Sequence, residues 1–158
     1  MSLLNAPEYD PVRERRRTIR IVSVIVLVLV TIIVVWVNRF WPEEHKADKF
    51  FSAIVRKNFE QAYGLWMSDP QWQQHPEKYP KYKFGEFYRD WGPGSEWGQI
   101  KAYKIAGAGE CHGGGGSGVV VKVIVNDRAT PTMVWVEKSD KSMSFPPCEP
   151  DQDFIIGQ

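Results

Sequence analysis

The sequence IVSVIVLVLVTIIVVWV, residues 21–37, decides how this chain is organised. Its seventeen residues carry no charge, and only Ser23 and Thr31 interrupt the apolar run. As an α-helix it would be ~26 Å long, slightly shorter than the ~30 Å hydrocarbon core of a bilayer. Valine and isoleucine favour strands in water, but a lone segment in lipid must satisfy its own backbone hydrogen bonds and therefore forms a helix. We predict a transmembrane helix over residues 19–41.

The charges that flank this segment predict its orientation. Five arginines precede the apolar run, whereas Arg39 is the one basic residue close behind it. The positive-inside rule therefore predicts a cytoplasmic basic tail, residues 1–18, and one pass through the inner (cytoplasmic) membrane, with the C-terminal part outside, periplasmic or extracellular. A cleaved signal peptide is the alternative, but its apolar region is typically ~7–15 residues long. The topology determinants are Arg13, Arg15, Arg16, Arg17 and Arg20, and contact with anionic lipid headgroups is a second role open to them.

Composition excludes several classes of protein. The formal net charge is +1, from 20 basic and 19 acidic residues, and it divides into +3 for residues 1–41 and −2 for the remainder. That balance is too weak for a nucleic-acid binder, and two cysteines are too few for a disulfide-dense mini-protein. One apolar run is too few for a transporter on its own. Residues 42–146 are enough for one small domain outside the membrane, followed by a C-terminal tail, residues 147–158.

The remaining sequence predicts an α+β domain. Three apolar patterns with helical spacing are followed by four strand-like segments rich in β-branched residues. We therefore expect three helices packed on one face of a curved antiparallel sheet of about four strands, with an aromatic-rich ordered loop at residues 71–83. The predicted helices cover residues 42–55, 59–66 and 84–91, and the predicted strands cover residues 97–106, 119–125, 132–137 and 142–145.

Residues 49–66, KFFSAIVRKNFEQAYGLW, resemble the opening of bacterial domains in the nuclear-transport-factor-two-like superfamily. Those domains begin with a helix that ends at an Asn/Asp-aromatic break, here Asn58-Phe59, and continue with a helix containing Ala-Tyr-x-Leu, here residues 62–65. The resemblance covers residues 47–145. It implies a sheet that wraps around a pocket, and a domain held outside the cytoplasm behind one transmembrane helix. Relatives include ketosteroid isomerases and dehydratases as well as non-catalytic binding modules, so the fold alone does not choose a function.

The residues that could perform chemistry form no recognisable catalytic set. The three histidines match no metal-ligand spacing, and His75 is the best single candidate for acid–base work. Glu86 and Asp90 share one side of the third helix, while the strand positions are mostly apolar. We therefore predict no catalytic residues, no cofactor and no metal site. The glycine-rich residues 113–118 precede a strand, so they predict a hairpin connection and not a phosphate-binding loop.

Cys111 and Cys148 lie in the part predicted to be outside the cytoplasm, where a disulfide between them is plausible. In a simple four-strand meander the two cysteines belong to opposite edges of the sheet. A bridge would thus require the glycine loop or the C-terminal tail to fold back. Two free or intermolecular thiols are the alternative.

These observations predict a non-catalytic single-pass membrane protein whose outer domain is an accessory or assembly subunit of a larger membrane complex. Its partners would be the lipid bilayer and other proteins, with no nucleic acid. One alternative is a tethered module that binds a small apolar ligand or peptide in the cone pocket, and a weaker one is an isomerase-like or hydrolase-like enzyme. Aromatic residues are the candidates for a pocket or interface: Tyr63, Trp66, Trp72, Tyr82, Trp91, Trp97 and Trp135.

Overall fold

The computed structural model of the chain describes residues 11–111 and 116–147. The chain divides between Arg39 and Phe40 into two compact units.

The first unit is the helix α1, Pro11–Val37. It begins before the predicted membrane segment because arginine and glutamate favour helices, and the Thr18 hydroxyl donates to the carbonyl of Glu14 at 3.0 Å within the same turn. The large apolar side chains of residues 21–37 are 50–67% exposed. Within the described residues, one helix is long and apolar enough to cross a membrane, and it contains this run.

The second unit is an α+β domain. Its helices are α2 (Trp41–Val55), α3 (Phe59–Trp66) and α4 (Phe84–Trp91), with short 3-10 turns at Trp72–Gln74 and Pro76–Lys78 inside the predicted loop. Its strands are β1 (Tyr103–Gly109), β2 (Gly118–Val125), β3 (Thr132–Glu137) and β4 (Met143–Ser144), which pair antiparallel in sequence order. The predicted α+β class and four-stranded antiparallel sheet are confirmed.

The break between α2 and α3 has a local cause. Lys57 adopts a positive φ of 59°, which ends α2. The side-chain oxygen of Asn58 then accepts a 3.1 Å hydrogen bond from the backbone of Gln61 and caps α3.

Strand β1 begins six residues later than predicted, because a side chain replaces the expected strand partner. The Asn126 carboxamide oxygen accepts the backbone N–H of Lys101 at 2.8 Å, and its nitrogen donates to the carbonyl of Gln99 at 3.0 Å. These bonds hold residues 99–101 in a non-strand conformation. A bulge between Ile105 and Gly107 then shifts the register of β1 against β2.

The main core lies between the sheet and the helices. Alternate residues of β2 and β3 face the helices with no exposed surface: Val119, Val121, Val123, Val125, Val134 and Val136. On the helical side, the ring of Phe50 lies 5.0–6.1 Å from the rings of Phe51, Trp66, Phe87 and Trp91. Side chains of the domain itself therefore fill the space beneath these strands.

A smaller cluster occupies the other face of the sheet. It contains Cys111, Val120 and Trp135, with Met133 packed against it. The indole of Trp135 lies directly over Gly118, where a Cβ atom would be only 2.3 Å from the ring. Glycine is therefore required at the start of β2 for this packing.

An ion pair joins the beginning of the domain to the turn between β3 and β4. Lys141 Nζ lies 2.6 Å from Oε1 of Glu43, a glutamate in the first turn of α2 that is only 4% exposed. The same turn also contacts the chain just after α3, because the Ser68 hydroxyl donates to the carbonyl of Asp140 at 2.6 Å. Polar contacts thus attach the last hairpin to α2 and to the segment that follows α3.

Candidate functional site

The loop between α3 and α4 is organised around one carboxylate, that of Asp69. Ser68 has a positive φ of 54° and turns the chain after α3. Oδ1 of Asp69 then accepts the backbone N–H of Gln71 at 2.9 Å, the geometry of an Asx turn. Oδ2 accepts hydrogen bonds from Nε2 of His75 and from the phenol of Tyr79, both at 2.6 Å. The loop therefore closes on a largely buried carboxylate.

These contacts determine the charge at the centre of the loop. Hydrogen bonds from Tyr79 and His75 hold the pKa of the Asp69 carboxyl well below its ordinary value of 3.8. Desolvation, together with the bond to Asp69, raises the pKa of the Tyr79 phenol. Asp69 is consequently a carboxylate and Tyr79 a neutral donor across the neutral range. Lys78 Nζ, 3.5 Å from Oδ2, adds a more exposed positive charge.

The anchored loop places Trp72 against α3 and α4. Its indole N–H donates to the carbonyl of Glu60 at 3.2 Å, and its ring stacks on Phe84 with centroids 5.2 Å apart. The ring also meets Tyr63 edge to face at 4.7 Å. Gly64 permits this approach, because a Cβ atom there would lie 3.1 Å from the carbonyl of Asp69 and 3.3 Å from the Trp72 ring. Trp72 is held in one orientation while part of it stays exposed.

Trp72 belongs to a row of four ring side chains on the surface, which we call the aromatic strip: Phe59, Trp72, Phe84 and Tyr88. Phe59 meets Tyr88 edge to face at 5.0 Å, and Phe84 lies 6.3 Å from Tyr88. Tyr88 is 45% exposed, and the other three rings are half-buried. The strip is therefore a packed surface, with rings that are both supported from below and accessible.

Three shallow grooves border the aromatic strip and share residues with one another. Their volumes are about 450, 400 and 440 Å³. Trp72 lines the first and second, Phe84 lines the second and third, and Glu60 lines the first and third. They thus form one continuous surface around α3. Among the described residues, four basic and two acidic ones line it: Lys46, Arg56, Lys57, Lys83, Glu60 and Glu77.

Most of the other predicted pocket or interface aromatics lie in or beside the core. Tyr63, Trp66 and Trp91 are at most 2% exposed, and Trp135 is 5% exposed on the far face of the sheet. The phenol of Tyr82 donates to Asp90 at 3.0 Å, and burial is the main cause that raises its pKa. Trp97 is half-buried, with the guanidinium of Arg128 5.6 Å from its ring. Of the seven predicted residues, the structure places Trp72 in the aromatic strip.

The residues considered for enzymatic chemistry have structural partners. His75 bonds to Asp69, Asp90 accepts from Tyr82, and Oε2 of Glu86 accepts the backbone N–H of Lys83 at the start of α4. In the described part of the chain, no group of three His, Cys, Asp or Glu side chains could hold a metal ion.

The predicted disulfide falls partly outside the described residues. Cys111 is disulfide-bonded and nearly buried. Cys148 and residues 112–115, which include most of the glycine run, lie outside the described ranges. The pairing of Cys111 with Cys148 therefore stays a prediction.

The sequence did not single out Asp69 or three members of the aromatic strip as functional residues. Asp69 lies between the predicted helix at residues 59–66 and the predicted loop at residues 71–83. Its position before Pro70, with a histidine and a tyrosine soon after, is the signal that could have indicated a side-chain-capped turn. Phe59, Phe84 and Tyr88 were expected to be helix-face residues, and nothing in their spacing shows that they meet one another on the surface.

No family model, curated protein or solved structure matches this chain, so the superfamily resemblance stays a prediction.

Proposed function

We propose that this protein is a non-catalytic, single-pass membrane protein whose α+β domain serves as an accessory or assembly subunit of a larger membrane complex. The helix α1 would cross the inner membrane with the arginine-rich end in the cytoplasm and the domain outside. The domain would contact a partner protein through the aromatic strip. Two features support the proposal: an apolar helix with exposed side chains, and a supported set of rings on the domain surface.

The observation that carries the proposal is the way in which Trp72 is held. A backbone carbonyl and two rings contact the indole, and the carboxylate of Asp69 holds the loop that carries it, while part of the indole stays accessible. Rings that are ordered before binding lose little conformational entropy on association, and aromatic residues dominate the binding energy of protein interfaces. Because rings of the domain fill the space beneath the sheet, the surface is the part of the domain that supports recognition best.

The charges around the aromatic strip indicate the kind of partner. Four basic residues and two acidic residues line the three grooves, so the surface has an excess of positive charge. Complementary charge guides association and fixes register. We expect a partner segment with apolar or aromatic anchors for the grooves and flanking Asp or Glu residues for Lys57 and Lys83.

The experiment compares complexes isolated with mild detergent from native membranes that contain the full-length chain. One variant, Lys57→Glu with Lys83→Glu, reverses two exposed cations beside the aromatic strip. The matched control, Lys101→Glu with Lys104→Glu, makes the same charge change at two exposed residues beside the start of β1. Native mass and quantitative mass spectrometry would report the assembly. Equal thermal unfolding of the purified variants would show that both domains fold.

We expect the wild type and the control to migrate with a defined partner in constant ratio, and the strip variant to lose it. Tyr88→Ala should act in the same direction, because it removes the most exposed ring of the aromatic strip. A wild-type chain that migrates alone would contradict the accessory-subunit proposal. A complex that survives both strip variants would contradict docking through the aromatic strip.

A further inference from the structure

We propose that one face of α1 binds the headgroup of an anionic phospholipid. This face, the arginine stripe, consists of Arg13, Arg16, Arg17 and Arg20. The inference rests on the proposed membrane insertion of α1. The sequence suggests a topology signal and general contact with anionic headgroups, and the inference adds a specific lipid site formed by four of the five arginines.

The spacing places these four arginines together. Successive residues of an α-helix turn by about 100°, so positions i, i+3, i+4 and i+7 occupy one sector roughly 100° wide. Together with Val12, the four side chains border a common groove of about 480 Å³. Arg15 does not line this groove, because it lies about 200° around the helix from Arg13. All of these arginines are exposed.

The position along the helix matches the depth of lipid phosphates. Arg20 directly precedes Ile21, the first residue of the apolar run. Arg13 lies about 10 Å further along the axis, at 1.5 Å per residue. The headgroup layer on each side of the hydrocarbon core is roughly 5–8 Å thick. A helix inserted through residues 21–37 would therefore hold the middle of the arginine stripe within this layer.

The chemistry favours a lipid phosphate over a soluble anion. Guanidinium groups form paired hydrogen bonds with phosphate oxygens, and neighbouring arginines can share one phosphodiester or engage two. The exposed apolar run that begins at the end of the groove offers a surface for the acyl chains of the same molecule. A free phosphate would form the hydrogen bonds with the arginines but would have no acyl chains to contact the apolar run.

The test uses the purified full-length chain in nanodiscs of phosphatidylcholine that contain either 10% phosphatidylglycerol or 10% cardiolipin, a lipid with two phosphates. Native mass spectrometry would count the anionic lipids that remain with the protein on release. The matched variants are Arg16→Gln, in the arginine stripe, and Arg15→Gln, its sequence neighbour outside it. Both remove one exposed positive charge from the same turn, so nonspecific attraction changes equally.

We expect Arg16→Gln and Arg20→Gln each to reduce retained anionic lipid about fivefold, and Arg15→Gln to change it by less than about twofold. Equal losses for Arg15→Gln and Arg16→Gln would overturn the site and leave only diffuse attraction. Displacement of the lipid by millimolar inorganic phosphate would overturn the assignment to a lipid.

Two further measurements separate this inference from the proposed function. Flotation of the chain with vesicles tests insertion. A chain that stays in solution would overturn both the membrane part of the proposed function and the lipid site. If the chain floats but Arg15→Gln and Arg16→Gln lose the same amount of anionic lipid, the lipid site is wrong and the membrane part of the proposed function stands. The Lys57→Glu/Lys83→Glu variant should keep its lipid while losing its protein partner.

Discussion

The phenol of Tyr79 and the carboxylate of Asp69, ten residues apart in the chain, are joined by a 2.6 Å hydrogen bond. The acceptor, Oδ2, is the same oxygen that receives Nε2 of His75. One negative charge thus organises the loop that the sequence predicts to be ordered and rich in aromatic residues. Because this loop carries Trp72, the order of the aromatic strip depends on Asp69.

Asp69→Asn is expected to remove an acid-dependent part of the stability. The folded state lowers the pKa of this carboxyl, so the unfolded chain binds the proton more readily below the ordinary value of 3.8. The stabilisation that the Asp69 carboxylate provides is complete well above pH 3.8. It is lost as the pH falls from 3.8 toward the lower pKa of the folded state. Urea unfolding between pH 2 and pH 7 should show a shallower acid decline for Asp69→Asn than for the wild type.

Asp127→Asn is the control for this prediction, because it makes the same change at an exposed residue in the turn between β2 and β3. It should leave the acid decline in place. Identical pH profiles for all three proteins would contradict the role given to Asp69.

Tyr79→Phe is expected to destabilise the domain by about 1.5 kcal/mol, the lower end of the range for a hydrogen bond to a charged group, since Tyr79 is only half-buried. The free energy of unfolding from urea titration measures the loss. Tyr88→Phe also removes a phenol hydroxyl, but from a more exposed ring, so it should lower the free energy of unfolding by less than about 0.5 kcal/mol. Equal costs would show that the bond to Asp69 contributes little.

The stabilities of Gly64→Ala and Gly85→Ala distinguish the effect of helix propensity from that of close packing around the glycine. Gly64 lies within α3 and Gly85 in the first turn of α4, and alanine is favoured over glycine in helices by up to about 1 kcal/mol. No atom of the described residues lies within 4 Å of a Cβ at Gly85, so we expect stabilisation there. At Gly64 the Cβ would press on the Asp69 carbonyl and the Trp72 ring, so the gain should vanish and the tryptophan fluorescence should change. Stabilisation of both variants to the same extent would contradict this packing.

Lys141→Ala is expected to destabilise the domain by about 2 kcal/mol, because it leaves the buried Glu43 carboxylate without its cation. Lys138→Ala breaks an ion pair with Glu110 at nearly the same distance, 2.7 Å. The two lysines are similarly exposed, at 36% and 38%, but the glutamate side chains differ, at 6% and 53%. Loss of the exposed Lys138–Glu110 pair should lower the free energy of unfolding by only about 0–1 kcal/mol. A smaller loss for Lys141→Ala than for Lys138→Ala would contradict the importance of glutamate burial.

Features that depend on local pattern could be predicted from the sequence. The β-branched residues of β2 and β3 predict two strands, because side chains at alternate positions of a strand face the core. The structure pairs these two strands with each other. The break at Asn58 could also be placed, because a capping residue acts within four positions.

Features that depend on side chains from distant positions could not be predicted in this way. The late start of β1 comes from a carboxamide 25 residues away, Asn126, which takes the place of a strand partner. The aromatic strip likewise combines α3, the loop and α4, and no spacing within one segment shows that these rings meet. The sequence around Asp69 could indicate a capped turn, but not that His75 and Tyr79 both donate to its carboxylate.

The ion pair between Glu43 and Lys141 also lies where a pulling force on the N-terminal segment would act on the domain. It links residues 98 positions apart and so closes most of the domain into a loop just beyond the point where the chain leaves the first unit. Tension on the N-terminal segment would enter the domain at the start of α2. It would act on the pair between the buried Glu43 and the partly exposed Lys141 before it could pull that helix from the sheet. Because the Glu43 side chain is buried, we expect loss of this pair to lower the force needed to pull α2 away from the rest of the domain.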